Sequence, residues 1–234
     1  MTGASRGLGR AVAAGLRESG WALIVDGRDA GALRKAEEHL RQSLPGGPPI
    51  LAIPGDVTDP GHRRVLVEAA RELGRLDLLV NNAGVLGPSP LPALAEYPLE
   101  GLREVVEVNL VAPLALFQET ADLLRAAPGG GRLVMVSSDA AAEAYPGWGG
   151  YGAAKASVEQ LAAVLAAEEP ALRVWVVDPG DLRTRMHQEA YPGEDISDRP
   201  EPETVVPAFL RLVESDRPSG RLRLAELEAS QERS

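Results

Sequence analysis

The sequence predicts an α/β fold: a single doubly wound domain on a parallel sheet, with helices on both faces. Two observations carry this. The short apolar runs are apolar almost throughout rather than at every second residue, as in strands covered on both sides. These runs also alternate along the chain with longer amphipathic segments. Size agrees: 234 residues, 44% hydrophobic and 25% charged, suit one core of ordinary globular composition.

Taken in order, Gly7–Ser19 has helical periodicity and Trp21–Val25 (WALIV) reads as a strand. Helix Ala30–Gln42, strand Ile50–Ile53, helix Gly61–Leu73 and strand Leu76–Val80 (LDLLV) follow. A long helix is predicted over Leu99–Leu124, then strand Arg132–Val136 (RLVMV), helix Tyr151–Ala167, strand Leu172–Val177 (LRVWVV), helix Thr204–Glu214 and strand Gly220–Leu224. Arg185–Pro207, rich in acid and proline, reads as a mobile excursion. The domain is expected to span 1–224, with Ala225–Ser234 a frayed tail.

Charge and cysteine usage narrow the function. A formal charge of -10 repels phosphate backbones and anionic lipid, so nucleic acid and membrane surfaces are poor partners. The absence of cysteine removes disulfides, thiolate metal sites and thiol catalysis, and fits a cytoplasmic enzyme. No run reaches the ~18 apolar residues of a membrane span, and the histidines at 39, 62 and 187 have no metal-ligand spacing.

Four elements point to chemistry. Thr2–Gly9 is a glycine-rich turn leading into a helix. Gly3, Gly7 and Gly9 allow tight backbone and close approach, and the helix offers free N–H groups and a positive dipole end to a diphosphate. Asn81-Asn82-Ala83-Gly84 ends a strand with small residues against which a flat ring can lie. Ser138 ends the strand RLVMVSS, and Tyr151 follows thirteen residues later with Lys155 at i+4 on the same helix face. An ammonium beside a phenol favours phenolate and lowers its pKa. Asn109 precedes Pro113 by four, so its carbonyl loses a helix partner and is free to hold a water. Each element alone has an ordinary structural explanation: a flexible terminus, an asparagine turn, a surface Tyr–Lys pair, a packing kink.

Together and in this order, with Gly55-Asp56-Val57 and Pro179-Gly180 in place, the motifs resemble the classical short-chain dehydrogenase/reductase family from Thr2 to about Leu224. The resemblance implies a seven-stranded Rossmann-type sheet and reversible hydride transfer between a nicotinamide and a carbonyl or alcohol. It implies Tyr151 as proton donor, Lys155 as the group that lowers its pKa and binds the nicotinamide ribose, Ser138 as polariser of the carbonyl and Asn109 as holder of the relay water. Ser137 is the competitor for the serine role. Gly3, Ser5, Gly7, Leu8 and Gly9 would border the pyrophosphate and ribose, and Asp56 and Val57 the adenine. Asn82, Ala83 and Gly84 would line the adjacent wall, and Pro179, Gly180 and Thr184 the carboxamide end. Arg6 and Arg28 favour the 2′-phosphate of NADP(H), with NAD(H) the alternative: the position of the ribose-binding acid reads as Gly27, and Asp26 is one residue early.

Only Met1 precedes the glycine turn, so the expected central strand is missing. About five apolar residues, each worth ~1.5–3 kcal/mol when buried, rival the net stability of a domain. The expectation is a start codon assigned too late and a chain that is unstable or poorly active as written. The Arg185–Glu203 segment, with Glu189, Glu194, Asp195, Asp198, Glu201 and Glu203, is expected to be a solvated loop without substrate contact. Few aromatic residues argue against an aromatic cage, although Tyr145, Trp148 and Tyr191 are candidates for the cleft border. A small-molecule carbonyl or alcohol is the expected partner, with a homodimer or homotetramer open. A non-catalytic dinucleotide sensor, or a relative of the extended sugar epimerases, are the competing functions; the Tyr–Lys pair argues against the first and the chain length against the second.

Overall fold

A computed structural model describes residues 1–229. The strands β1 (Leu23–Gly27), β2 (Ile50–Pro54), β3 (Leu78–Asn81), β4 (Arg132–Val136), β5 (Arg173–Asp178) and β6 (Gly220–Arg223) each lie within about two residues of an apolar run in the sequence. All pairings are parallel.

The side chains of β4 and β5 show why the runs are continuous. Val134, Trp175 and Val177 point to one core, while Leu133, Met135, Val174 and Val176 point to the other. Helices α1 (Gly7–Glu18) and α2 (Ala30–Ser43) cover the first face. Helix α3 (Pro60–Glu72) covers the second. Both faces must be apolar when both are covered, so period-two alternation disappears.

The helix expected at Leu99–Leu124 is interrupted. It runs as α4 (Leu99–Val106), a π-helical turn over Glu107–Val111 and α5 (Ala112–Arg125). Pro113 sits in the first turn of α5, where its missing N–H costs little, and the π turn absorbs the break around Asn109. Helix α6 (Gly149–Glu168) packs beside α5 on the second core.

The two segments read as an excursion and a tail contain short elements. Arg185–Pro207 is not structureless: it contains α7 (Arg185–Ala190), N-capped by Thr184 Oγ1, and a 3₁₀ turn at Pro202–Val205 leading into α8 (Val206–Glu214). The frayed tail is a helix at its start, α9 (Leu224–Ala229), with Leu224 and Leu227 in the first core. The rest of the expected tail, residues 230–234, lies outside the described residues.

Instead of one seven-stranded sheet, the described residues form a two-stranded ladder, β1–β2, and a four-stranded ladder, β3–β4–β5–β6. Residues Met1–Ala4 lie between the two ladders. Thr2 N–H donates to the Val80 carbonyl at 3.0 Å on one side. On the other, Ala4 N–H donates to the Asp26 carbonyl at 2.9 Å and the Met1 amine to that of Ile24 at 2.7 Å.

Candidate active site

One cavity of about 880 Å³ opens at the carboxyl ends of the strands, where ligands gather in open α/β sheets. Its wall contains Gly3, Ser5, Arg6, Gly7, Leu8, Gly9, Arg28, Asp56, Val57, Asn82, Ala83, Gly84, Ser138, Tyr151, Lys155, Pro179, Gly180 and Thr184. Asn109 stands behind the wall. A Cβ on Gly84 would lie 2.9 Å from Asn109 Oδ1, so glycine lets the chain after β3 press closely on Asn109, with Lys155 Nζ in ordinary contact range at 3.8 Å.

The glycine turn fits a diphosphate. Gly3 and Gly7 have φ of 67° and 52°, and a Cβ on Gly9 would meet the Gly3 carbonyl oxygen at 2.2 Å. Helix α1 starts without a side-chain cap and without an acid in its first turn, so its leading amides face the cavity unclaimed. By contrast α2 and α3 are capped by Asp29 and Asp59. The turn is fastened from below. Thr2 Oγ1 accepts from the amides of Asn82 and Ala83, both at 3.0 Å, and Asn82 Nδ2 donates to the carbonyls of Thr2 and Gly3.

The structure also shows which way Asp26 faces. It is 2% exposed, accepts Gly3 N–H at 2.7 Å and lies 3.2 Å from His62 Nε2. Its carboxylate is therefore spent on holding the turn. Gly27 faces Ser5, Arg28 lines the cavity, and Arg6 reaches Asp29 at 3.3 Å in an exposed pair.

At the other end, Tyr151 and Lys155 are buried on one face of α6. Lys155 Nζ donates to the Val136 carbonyl at 2.8 Å and lies 5.5 Å from the Tyr151 ring centroid. Burial draws the ammonium down to about 8, with Glu159 pulling upward. The phenol departs from expectation: burial pushes it above its ordinary value, and Asp139 and Asp178 push it the same way. All of these favour the protonated phenol, so Tyr151 is neutral at neutral pH.

The two serines separate cleanly. Ser137 is buried and donates to Glu159 Oε1 at 2.6 Å. Ser138 is partly exposed, donates to Asp139 Oδ1 at 3.0 Å and accepts from Ala140 N–H at 3.2 Å. Asn109 is fixed by two bonds to Val85: its Oδ1 accepts the amide at 2.9 Å and its Nδ2 donates to the carbonyl at 2.8 Å.

Sequence reasoning missed a charged group beneath these residues. Arg221 on β6 contacts both carboxylate oxygens of Glu159 (3.0 and 3.1 Å) and Asp178 Oδ2 at 3.2 Å. Asp178 Oδ1 in turn accepts the Gly180 amide at 3.0 Å. The lysine-bearing helix, the serine strand end and the Pro179-Gly180 turn are thus tied to one guanidinium. An arginine in a short edge strand carries no signal of this in the sequence. From the acidic segment, Arg185, Met186, His187, Glu189 and Tyr191 line the cavity.

Comparison with known proteins now places the chain. A model of the short chain dehydrogenase family matches residues 1–195. The sepiapterin reductase of Rattus norvegicus is 38% identical over 199 residues, covering 81% of this chain and 76% of the relative. The chloroplastic NADPH-dependent aldehyde reductase-like protein of Arabidopsis thaliana is 32% identical over 80% of this chain and 72% of its own. Among solved structures, the alcohol dehydrogenase of Thermococcus sibiricus complexed with 5-hydroxy-NADP superposes with a TM-score of 0.84 at 27% identity, covering 95% of this chain and 93% of that one. A chain from Escherichia coli CFT073 complexed with NADPH gives 0.84 at 30% identity over 95% and 94%.

The chain belongs to the short-chain dehydrogenase/reductase family. It is an NAD(P)(H)-dependent oxidoreductase on a Rossmann-type α/β fold, and no described helix is long and apolar enough to cross a membrane.

Proposed function

We propose that the chain is an NADP(H)-dependent reductase of small carbonyl compounds, with Tyr151, Lys155, Ser138 and Asn109 as its acid–base set. The observation that carries this reading is the meeting of Tyr151, Lys155 and Ser138 in one cavity with the glycine turn. The bound nicotinamide would supply or accept the hydride at the carbonyl carbon.

The chain's own residues would do the rest. Tyr151, kept neutral by burial, would give its proton to the carbonyl oxygen as the C=O bond becomes C–H and O–H. Ser138, partly exposed in the cavity wall, would turn its hydroxyl from Asp139 to donate to the same oxygen, whereas Ser137 is buried against Glu159. Lys155 would replace the proton and bind ribose hydroxyls. Asn109, locked on Val85, would keep the π turn in shape behind Lys155 and hold the relay water. The glycine turn and the head of α1 would take the diphosphate, with Asp56 and Val57 at adenine, Asn82, Ala83 and Gly84 along the wall, and Pro179, Gly180 and Thr184 at the carboxamide.

NADP(H) over NAD(H) is supported by the inward-facing Asp26 and by Arg28 and Arg6 in the cavity wall, Arg6 in an exposed pair with Asp29. The structural relatives solved with NADPH and 5-hydroxy-NADP support the same choice. A non-catalytic sensor is not favoured, since the relatives are reductases and dehydrogenases.

The test is NADPH oxidation against a panel of aldehydes, ketones and quinones. Tyr151→Phe is expected to lower kcat by roughly 10²–10⁴ while NADPH still binds. Turnover retained in that variant overturns the role of Tyr151.

A further inference from the structure

The substrate end of the cavity concentrates aromatic side chains in a chain that has few. Three of its four tyrosines, Tyr145, Tyr151 and Tyr191, line the cavity together with Trp148. Trp148 meets Tyr151 edge-on at 5.8 Å and 71°, and Tyr191 lies 6.1 Å from Trp148 and 5.1 Å from the His187 ring. Trp148 and Tyr191 are half-buried, so part of each ring surface is left to a ligand. Edge-to-face and tilted arrays of this kind accept a further ring more readily than an aliphatic chain, because the ring quadrupoles complement each other.

A second observation points the same way. His187 is 9% exposed and lines the cavity, yet its Nε2 is buried without a hydrogen-bond partner. Its other nitrogen faces Asp181 at 3.9 Å. A buried unpaired ring nitrogen in a cavity wall is expensive unless a ligand meets it.

The charges bordering the cavity are mostly acidic. Glu104, Asp139, Asp181 and Glu189 lie there, and the nearby Arg185 is taken by Glu189 at 2.6 Å. A carboxylate or an acyl group on a phosphorylated carrier would meet this field unfavourably.

We propose that the substrate end takes an uncharged, planar aromatic or heteroaromatic carbonyl, its ring packed on Trp148 and Tyr191 and a polar ring atom met by His187 Nε2. This rests on the reductase reading, since it names the substrate of the same site. The substrate carbon is reduced by two electrons from NADPH, and the oxygen takes the Tyr151 proton, leaving a secondary alcohol and NADP⁺.

The test has a kinetic and a binding arm. With NADPH, kcat/KM for 1-phenyl-1,2-propanedione is expected to exceed that for 2,3-hexanedione at least about tenfold, with acetoacetyl-CoA poorest. In Trp148→Leu and Tyr191→Leu the aryl-to-alkyl ratio falls by roughly three- to tenfold each, and Trp148→Phe restores most of it. In His187→Leu the preference for 3-acetylpyridine over acetophenone disappears. A ratio near one in the unaltered chain, or a ratio untouched by both leucine variants, overturns the proposal. Ligand-observed NMR then compares acetophenone with cyclohexyl methyl ketone without turnover. Tighter binding of the aryl ketone supports the proposal and equal binding overturns it, even if no carbonyl is reduced and the reductase reading itself fails.

Discussion

The two ladders of the sheet carry different parts of the site. The four-stranded ladder β3–β6 carries Asn82, the serine strand end and the Pro179-Gly180 turn, with Arg221 bracing it from the edge. The two-stranded ladder β1–β2 carries Gly27, Arg28 and Asp56 and meets the larger one through the backbone of Met1–Ala4, the turn after it and the first core, where Val25 and Ile50 join Val80 and Val134. The proposed reacting groups rest on continuous strand pairing. The proposed cofactor groups straddle a seam, which hydrogen bonds from Thr2, Gly3 and Ala4 and the shared first core hold closed.

The sharpest way to break this contrast is Gly9→Ala. Its Cβ would press on the Gly3 carbonyl at 2.2 Å and on Asn82 Nδ2 at 2.5 Å, both parts of the seam. The turn must shift, at a cost of about 1–3 kcal/mol or more. A fall in Tm of several degrees and a loss of NADPH affinity of at least about tenfold are expected, by thermal melting and calorimetric titration. An unchanged Kd would mean that the turn does not hold the cofactor.

On the ladder side, Lys155→Met should separate stability from activity. Burial lowers this amine from 10.5 to about 8, so at neutral pH the folded chain bears a charge it would rather lose. The unfolded chain holds the proton more tightly between those values, so the penalty is full below about 8 and is relieved as pH rises toward 10.5. The shift corresponds to about 3 kcal/mol, partly offset by the lost bond to Val136. Denaturant melts should show the variant more stable at pH 7, the difference narrowing above pH 8 and vanishing near 10.5, while turnover collapses. A gain that does not depend on pH would point to packing instead.

The smallest effect is expected at the seam's charged rim. Arg28→Ser should reduce NADPH-over-NADH selectivity by about tenfold, near 1.4 kcal/mol, with little change in Tm. A loss of both cofactors equally would assign Arg28 to the diphosphate rather than to the ribose.

Much of this was legible in the sequence because it depends on local pattern. The apolar Leu133–Val136 and the Trp-containing run before Asp178 read as buried strands by their length and β-branched content, and Tyr151 and Lys155 at i, i+4 had to share a helix face. What escaped was short or non-local. Helix α7 has six residues, too few to display a period, and its neighbours are acidic and proline-rich. Helix α9 is equally short, and only the packing of Leu227 reveals it. The direction of Asp26 depends on His62, thirty-six residues away, and the role of Arg221 depends on Glu159 and Asp178, which the fold alone brings together. The upward shift of the Tyr151 phenol follows from burial, which no spacing rule reports.

The strap formed by the first four residues would make a dinucleotide bound at the proposed site a structural member as well as a reagent. A molecule lying across the glycine turn, Arg28 and the Asn82–Gly84 wall would clamp the two halves of the sheet together, so its binding energy would also weld the weaker half to the stronger. Empty, the protein should exchange its β1 and β2 amides faster than those of β4 and β5; saturated, the two sets should converge.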